Sequence, residues 1–103
     1  MGDVLDKPIG DGNDYAESWE VVDHGTNQTC VANGPLRGTP LAKIVQQRPE
    51  QLFGKHGKLS QFPLLFKLLD ANRDLSVQVH PDDACAAELV PPDLGKTEAW
   101  VVL

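Results

Sequence analysis

The stretch Leu75–His80 constrains this chain more than any other. Along an extended backbone successive side chains point to opposite faces. Leu75, Val77 and Val79 then share one face, and Ser76, Gln78 and His80 share the other. A strand with an apolar back and an amide plus imidazole front is suited to walling a polar pocket. A second stretch, Gly95-Lys96-Thr97-Glu98-Ala99-Trp100, opens another expected strand, Thr97–Leu103, rich in β-branched and aromatic residues. Lys96, Glu98 and Trp100 fall on one of its faces.

If these two strands pair, Gln78, His80 and Glu98 come together. Such a nitrogen and oxygen donor set suits a borderline divalent metal, zinc first. The plainer alternative is that Gln78 and His80 are satisfied polar residues on a strand face. Lys96 and Glu98 would then be an exposed ion pair worth under ~1 kcal/mol.

The rest of the chain reads as short strands and short helices. Residues 1–14 are rich in turn formers and are expected to be loop. Gly10-Asp11-Gly12 does not continue as a dinucleotide-binding glycine motif. Ala16–Asp23 is an expected strand, with Gln28–Ala32 as its partner across a His24–Asn27 turn. Thr39 is an expected helix N-cap with Pro40 at the first helical position, and Leu41, Ile44 and Val45 give an apolar stripe. Pro49–Phe53 forms another turn, stopped by Gly54, and Lys55–Ser60 is loop. Phe62–Leu69 is expected as a strand leading through Asp70-Ala71-Asn72-Arg73 into a hairpin. Within that apolar run Lys67 either reaches solvent at an edge or points into a polar site, because an unpaired buried ammonium is costly. Asp70-x-Asn72-x-Asp74 fails as a calcium loop, since Leu75 and Pro81 stand where glycine and glutamate belong. Pro81-Asp82-Asp83 should cap a helix over Ala84–Leu89, and Pro91-Pro92-Asp93 is a rigid connector.

Composition narrows the class. The 103 residues suit one small domain. A net charge of −6 without any Lys/Arg run argues against nucleic acid as a partner. Lysines within a cleft could still hold a small anion. No apolar run approaches the roughly 20 residues that span a membrane, so no membrane partner is expected. The N-terminus resembles no secretory signal, and Cys30 and Cys85 form no Cys-x-x-Cys. Reduced thiols and a cytoplasmic location are expected. The oligomeric state is not encoded in any feature of this kind.

Four segments go beyond composition. Glu17-Ser18-Trp19-Glu20, Phe62-Pro63-Leu64-Leu65-Phe66-Lys67, Leu75–Asp83 and Gly95–Trp100 occur in this order and spacing in type I mannose-6-phosphate isomerases. The chain resembles that family from about Lys7 to Leu103. The resemblance implies a mainly β, cupin-type jelly-roll, present here in part, with short helices. Residues 1–103 would be the N-terminal part of a single such domain. The ending Val101-Val102-Leu103, inside an apolar strand, is expected of a truncated protein, because a closed antiparallel barrel needs about eight strands.

The resemblance also implies roles. The family's zinc is held by a glutamine and a histidine two residues apart, a glutamate, and a later histidine. Gln78, His80 and Glu98 match the first three. Lys96 matches a lysine two residues before the metal glutamate and is the candidate catalytic group. Lys67 matches a second pocket lysine. Ser76 is a candidate pocket residue and phosphate contact, and Trp19 and Glu20 are candidates near the substrate. The family interconverts mannose 6-phosphate and fructose 6-phosphate by moving a proton from C2 to C1 through a cis-enediol. Against the family pattern the chain lacks an N-terminal aromatic-glycine segment, the fourth metal ligand and the catalytic arginine. Two further readings therefore stay open: a cupin fragment that binds metal or sugar phosphate without turnover, and a piece that needs a missing segment to fold.

Overall fold

Antiparallel pairing begins where the chain's first apolar alternation meets its central one. Strand β1, Glu17–Val21, pairs with β4, Phe66–Leu69, in the register Glu17↔Leu69, Ser18↔Leu68, Trp19↔Lys67 and Val21↔Phe66. The register shifts between Trp19 and Val21, around Glu20. β2, Asp23–His24, and β3, Asn27–Gln28, form a tight hairpin. These features come from a computed structural model that describes residues 5–8, 10–12 and 14–103. The loop expected over residues 1–14 lies partly outside them. The chain divides into two units, one ending at Asn72 and the other spanning Arg73–Leu103.

Of the pairing expected between Ala16–Asp23 and Gln28–Ala32, the end next to the turn forms, with Asp23 opposite Gln28, whereas β1 itself pairs with β4. The reason lies in the hairpin. The Val22 and Thr29 backbones bond to each other, and the Val22 N–H also donates to the Thr29 hydroxyl at 2.8 Å. Asp23 tightens the turn further: its Oδ1 accepts from the Gln28 amide at 2.7 Å and its Oδ2 from the Phe62 backbone N–H at 2.9 Å. The Gln61 amide donates to the Asp23 carbonyl. Residues after Val21 are thus committed to a local turn, and the edge of β1 is left to β4.

Helix α1, Leu41–Gln47, starts one residue later than expected. Pro40, not Thr39, is its flanking residue, with extended backbone and no side-chain cap. The segment before it is held extended by Val31 N–H to Thr39 O at 3.0 Å and Leu41 N–H to Thr29 O at 2.8 Å. The Gln28 side-chain Oε1 accepts from the Ala42 N–H at 3.1 Å, doing a cap's work from β3. Helix α2, Pro49–Phe53, has proline in its first turn and ends at Gly54, whose φ of +54° is a conformation that glycine adopts without strain. A 3₁₀ turn, Gly54–His56, replaces the start of the expected loop. Val22, Val45 and Phe53 are buried, and Phe53 stacks on Phe62 at 6.2 Å between ring centroids.

In the second unit helix α3, Asp83–Ala87, is capped by Asp82, whose Oδ1 accepts from the Cys85 N–H at 2.9 Å. It ends two residues short of the expected Leu89, and its Ala86 is fully buried. Neither Leu75–His80 nor Thr97–Leu103 forms a strand among the described residues, and β4 makes no hairpin with the former. A strand exists through its ladder of backbone hydrogen bonds. β4 gives its ladder to β1, and Pro63, with no N–H to donate, delays the strand to Phe66. The apolar alternation of Leu75, Val77 and Val79 is therefore exposed, Val77 completely. Short helices with small antiparallel sheets fit a small, mainly β domain.

Candidate functional site

Gly95 decides the geometry of the second unit's polar cluster. Its N–H donates to Asp83 Oδ1 at 3.0 Å, and the next N–H, of Lys96, donates to the Pro81 carbonyl at 3.0 Å. A Cβ on Gly95 would stand 2.5 Å from the Asp83 nitrogen and 2.6 Å from the Asp82 carbonyl carbon, which are backbone atoms that cannot swing away. Glycine permits this close approach. It lays Lys96–Glu98 beside His80–Pro81 without a ladder.

The result is a three-residue contact. His80 Nε2 lies 2.8 Å from Glu98 Oε2, and Lys96 Nζ lies 3.2 Å from Glu98 Oε1. The Glu98 carboxyl is held well below its ordinary value, down from 4.5 to about 2, first by the His80 hydrogen bond, then by those of Lys96 and Trp100. Both oxygens of one carboxylate are thus engaged by side chains that could themselves exchange protons or ligands. On the other expected strand, Gln78 donates its amide N–H to the Ser76 hydroxyl at 2.7 Å. Its carbonyl oxygen takes no hydrogen bond among the described residues.

The candidates of the first unit are arranged around a residue that sequence reasoning passed over. Glu17 accepts from the Trp19 indole at 2.8 Å and from Lys67 Nζ at 3.2 Å, gathering both on the β1–β4 ladder. The signal was available: Glu17 and Trp19 are two apart on a strand and so share a face. Lys67 is thus neither free at an edge nor alone in an apolar run. Glu20 turns to different partners. It accepts from Lys7 and Ser18, both at 2.5 Å, and these lower its carboxyl pKa, the Lys7 bond most. Lys7, Pro8, Tyr15, Glu17, Ser18, Trp19 and Glu20 line a shallow cleft of about 220 Å³.

Among the described residues no three His, Cys, Asp or Glu side chains converge in a metal-binding group. The donor chemistry nonetheless fits zinc: an imidazole nitrogen and a carboxylate oxygen in contact, with an amide oxygen unclaimed two residues before the histidine. Catalytic zinc sites keep a position open, so a partial protein shell is no contradiction.

The family model for the catalytic domain of phosphomannose isomerase type I matches residues 4–96. The chain belongs to this family. Gln78, His80 and Lys96 fall inside the matched segment of the phosphomannose isomerase model, and Glu98 lies two residues beyond it. The chain is 49% identical over 87 residues to the probable mannose-6-phosphate isomerase GmuF of Bacillus subtilis, covering 84% of this chain and 27% of that protein. It is 48% identical over 87 residues to a mannose-6-phosphate isomerase of Streptococcus mutans, with the same coverage. A mannose-6-phosphate isomerase of Ogataea parapolymorpha is 33% identical over 98 residues, covering 90% of this chain and 22% of that protein. The chain thus spans about a quarter of the length of these phosphomannose isomerase relatives. No solved structure matches it. No helix among the described residues is long and apolar enough to cross a membrane.

Proposed function

We propose that residues 1–103 are the N-terminal part of a cupin jelly-roll domain in a zinc-dependent mannose-6-phosphate isomerase. Its substrates are mannose 6-phosphate and fructose 6-phosphate, and its setting is the cytoplasm. The observation that carries this reading is the His80–Glu98 contact of 2.8 Å with Lys96 on the second oxygen, in a chain of this family.

Gln78, His80 and Glu98 would hold the metal. Zinc, when bound, supplies a Lewis acid that stabilises negative charge on the sugar oxygens as a C–H proton is lost. Glu98 is a carboxylate at neutral pH, and His80 first and then Lys96 hold its carboxyl below its ordinary value. Lys96 carries exchangeable protons at Nζ beside that carboxylate and is placed to hold or move one at a substrate oxygen. Lys67 in the first unit and Ser76 in the second each carry the group the family resemblance implies, an ammonium and a hydroxyl suited to an anionic sugar. Trp19 and Glu20 contribute an indole face and a carboxylate near the β1 cleft.

The test uses two lengths of protein, with fructose 6-phosphate formation from mannose 6-phosphate followed in a coupled assay with added zinc. The 103-residue chain should bind zinc weakly and turn over little, since groups that act as a unit lose activity together. A protein of the relatives' length should be active and should lose activity on His80→Ala or Glu98→Ala. Retained activity in the long His80→Ala protein would overturn the metal assignment. Full turnover by the short chain would overturn the partition of the site.

A further inference from the structure

A side-chain amide has two ends of opposite character. Its carbonyl oxygen can donate electrons to a metal, whereas its NH₂ group offers only protons. Rotation about the last torsion exchanges them, and that torsion is broad and roughly two-fold. A glutamine meant to present oxygen therefore needs something to hold its nitrogen.

The second unit supplies such a partner. The Ser76 hydroxyl accepts from Gln78 Nε2 at 2.7 Å, a short bond between side chains two residues apart. The bond occupies the nitrogen end and leaves the oxygen end unclaimed among the described residues. We infer that Ser76 is a positioning residue, which fixes the Gln78 amide with its oxygen toward the metal. This rests on the proposed reading of Gln78 as a ligand, and it extends that reading to the residue behind the ligand. It is additional to the sugar contact proposed for the Ser76 hydroxyl, which by itself would act on the substrate and leave metal affinity alone. Partners behind metal ligands commonly set affinity by 10- to 100-fold.

The experiment titrates the full chain with cobalt(II), reading the visible absorption of the bound ion, with zinc affinity obtained by competition. Ser76→Ala should weaken binding by about 10-fold and alter the cobalt spectrum, while Ser76→Thr, which keeps the hydroxyl, should restore both. The deciding comparison is made in a Gln78→Glu background. A carboxylate presents oxygen from either end, so Ser76→Ala should there change little. An equal loss in both backgrounds would overturn the inference, because Ser76 would then act on the site in general. Unchanged affinity in Ser76→Ala, with loss in Gln78→Ala, would overturn it while leaving Gln78 a ligand. Unchanged affinity in Gln78→Ala would overturn the ligand reading itself.

Discussion

Each unit of the chain holds one informative carboxylate, and the two are partnered differently. In the first unit Asp23 is only 8% exposed and both its oxygens accept from neutral donors that belong to the scaffold, the Gln28 amide and the Phe62 backbone. In the second unit Glu98 gives its oxygens to His80 and Lys96, whose partners can be exchanged for a metal, a proton or a substrate. Backbone donors make a carboxylate part of the fold, because removing it orphans groups that cannot move. Imidazole and ammonium donors leave it available for chemistry. The apolar residues follow the same division. Val22, Val45 and Phe53 are buried in the first unit, whereas Val77 and Val79 of the second are 100% and 93% exposed.

The largest expected effect breaks the first carboxylate. Asp23→Ala takes the acceptor from the half-buried Phe62 N–H and leaves the Gln28 amide only the Gly25 carbonyl at 3.3 Å, and should cost about 1–3 kcal/mol. Urea unfolding followed by circular dichroism measures it. In the same experiment Glu98→Gln should shift the midpoint less than Asp23→Ala does, while weakening zinc binding. A midpoint shift in Glu98→Gln matching that of Asp23→Ala would dissolve the contrast between the two units.

Next comes the glycine that brings the second carboxylate into place. Gly95→Ala sets a Cβ against the backbone at Asp82 and Asp83. The Lys96–Pro81 hydrogen bond should open and draw Glu98 away from His80. Zinc affinity, measured against a chelator, should fall by about 10-fold or more. Unaltered affinity would mean that the close approach at Gly95 does not position the site.

What the sequence made legible follows the same line between local and distant causes. The β1 strand, a helix beginning within a residue of Pro40, the stop at Gly54 and the Asp82 cap all depend on a few adjacent residues, and each was readable. The β1–β4 pairing was not, because it depends on a hairpin locked from 38 and 39 residues away by Gln61 and Phe62. At the site, the grouping of Lys96 with Glu98 was visible as an i, i+2 pattern. The contact of His80 with Glu98 was expected from strand pairing but arises from the close approach at Gly95 instead. Alternation over Leu75–His80 and β-branched and aromatic residues over Thr97–Leu103 predicted strands, and neither pattern can supply a hydrogen-bonding partner. Glu17 went unnoticed because its importance lies in joining Trp19 to Lys67, a residue 50 positions away.

A pH titration sharpens the account of Glu98. Its carboxyl should titrate near 2 in the folded chain, against an ordinary value of 4.5. A carboxyl lowered on folding contributes stability that is fully present above 4.5 and is lost as the pH falls toward 2. The His80–Glu98 contact should therefore persist through mild acid. Carbon-13 shifts of the side-chain carboxyl give the midpoint directly, and His80→Phe should move it upward, since His80 is the largest cause of the lowering. A wild-type midpoint near 4.5 would show that the contact is not made in solution.

The smallest expected effect lies on the exposed face of the second unit. Val77→Ser replaces a side chain that touches solvent on all sides, so in this chain it should alter stability by no more than about 0.5 kcal/mol. Its value is in the comparison with a longer protein. The proposed cupin domain would cover Val77 and Val79 with further strands, since the relatives are several times the length matched here. In a protein of that length the same substitution would remove buried apolar area and should cost about 1–2 kcal/mol. Urea midpoints of the two proteins, each with and without Val77→Ser, give the difference. A substitution neutral at both lengths would mean that the alternation of Leu75, Val77 and Val79 faces water in the complete domain as well. The polar row of Ser76, Gln78 and His80 would then have no covered strand behind it, and the pocket wall inferred from that alternation would lose its support.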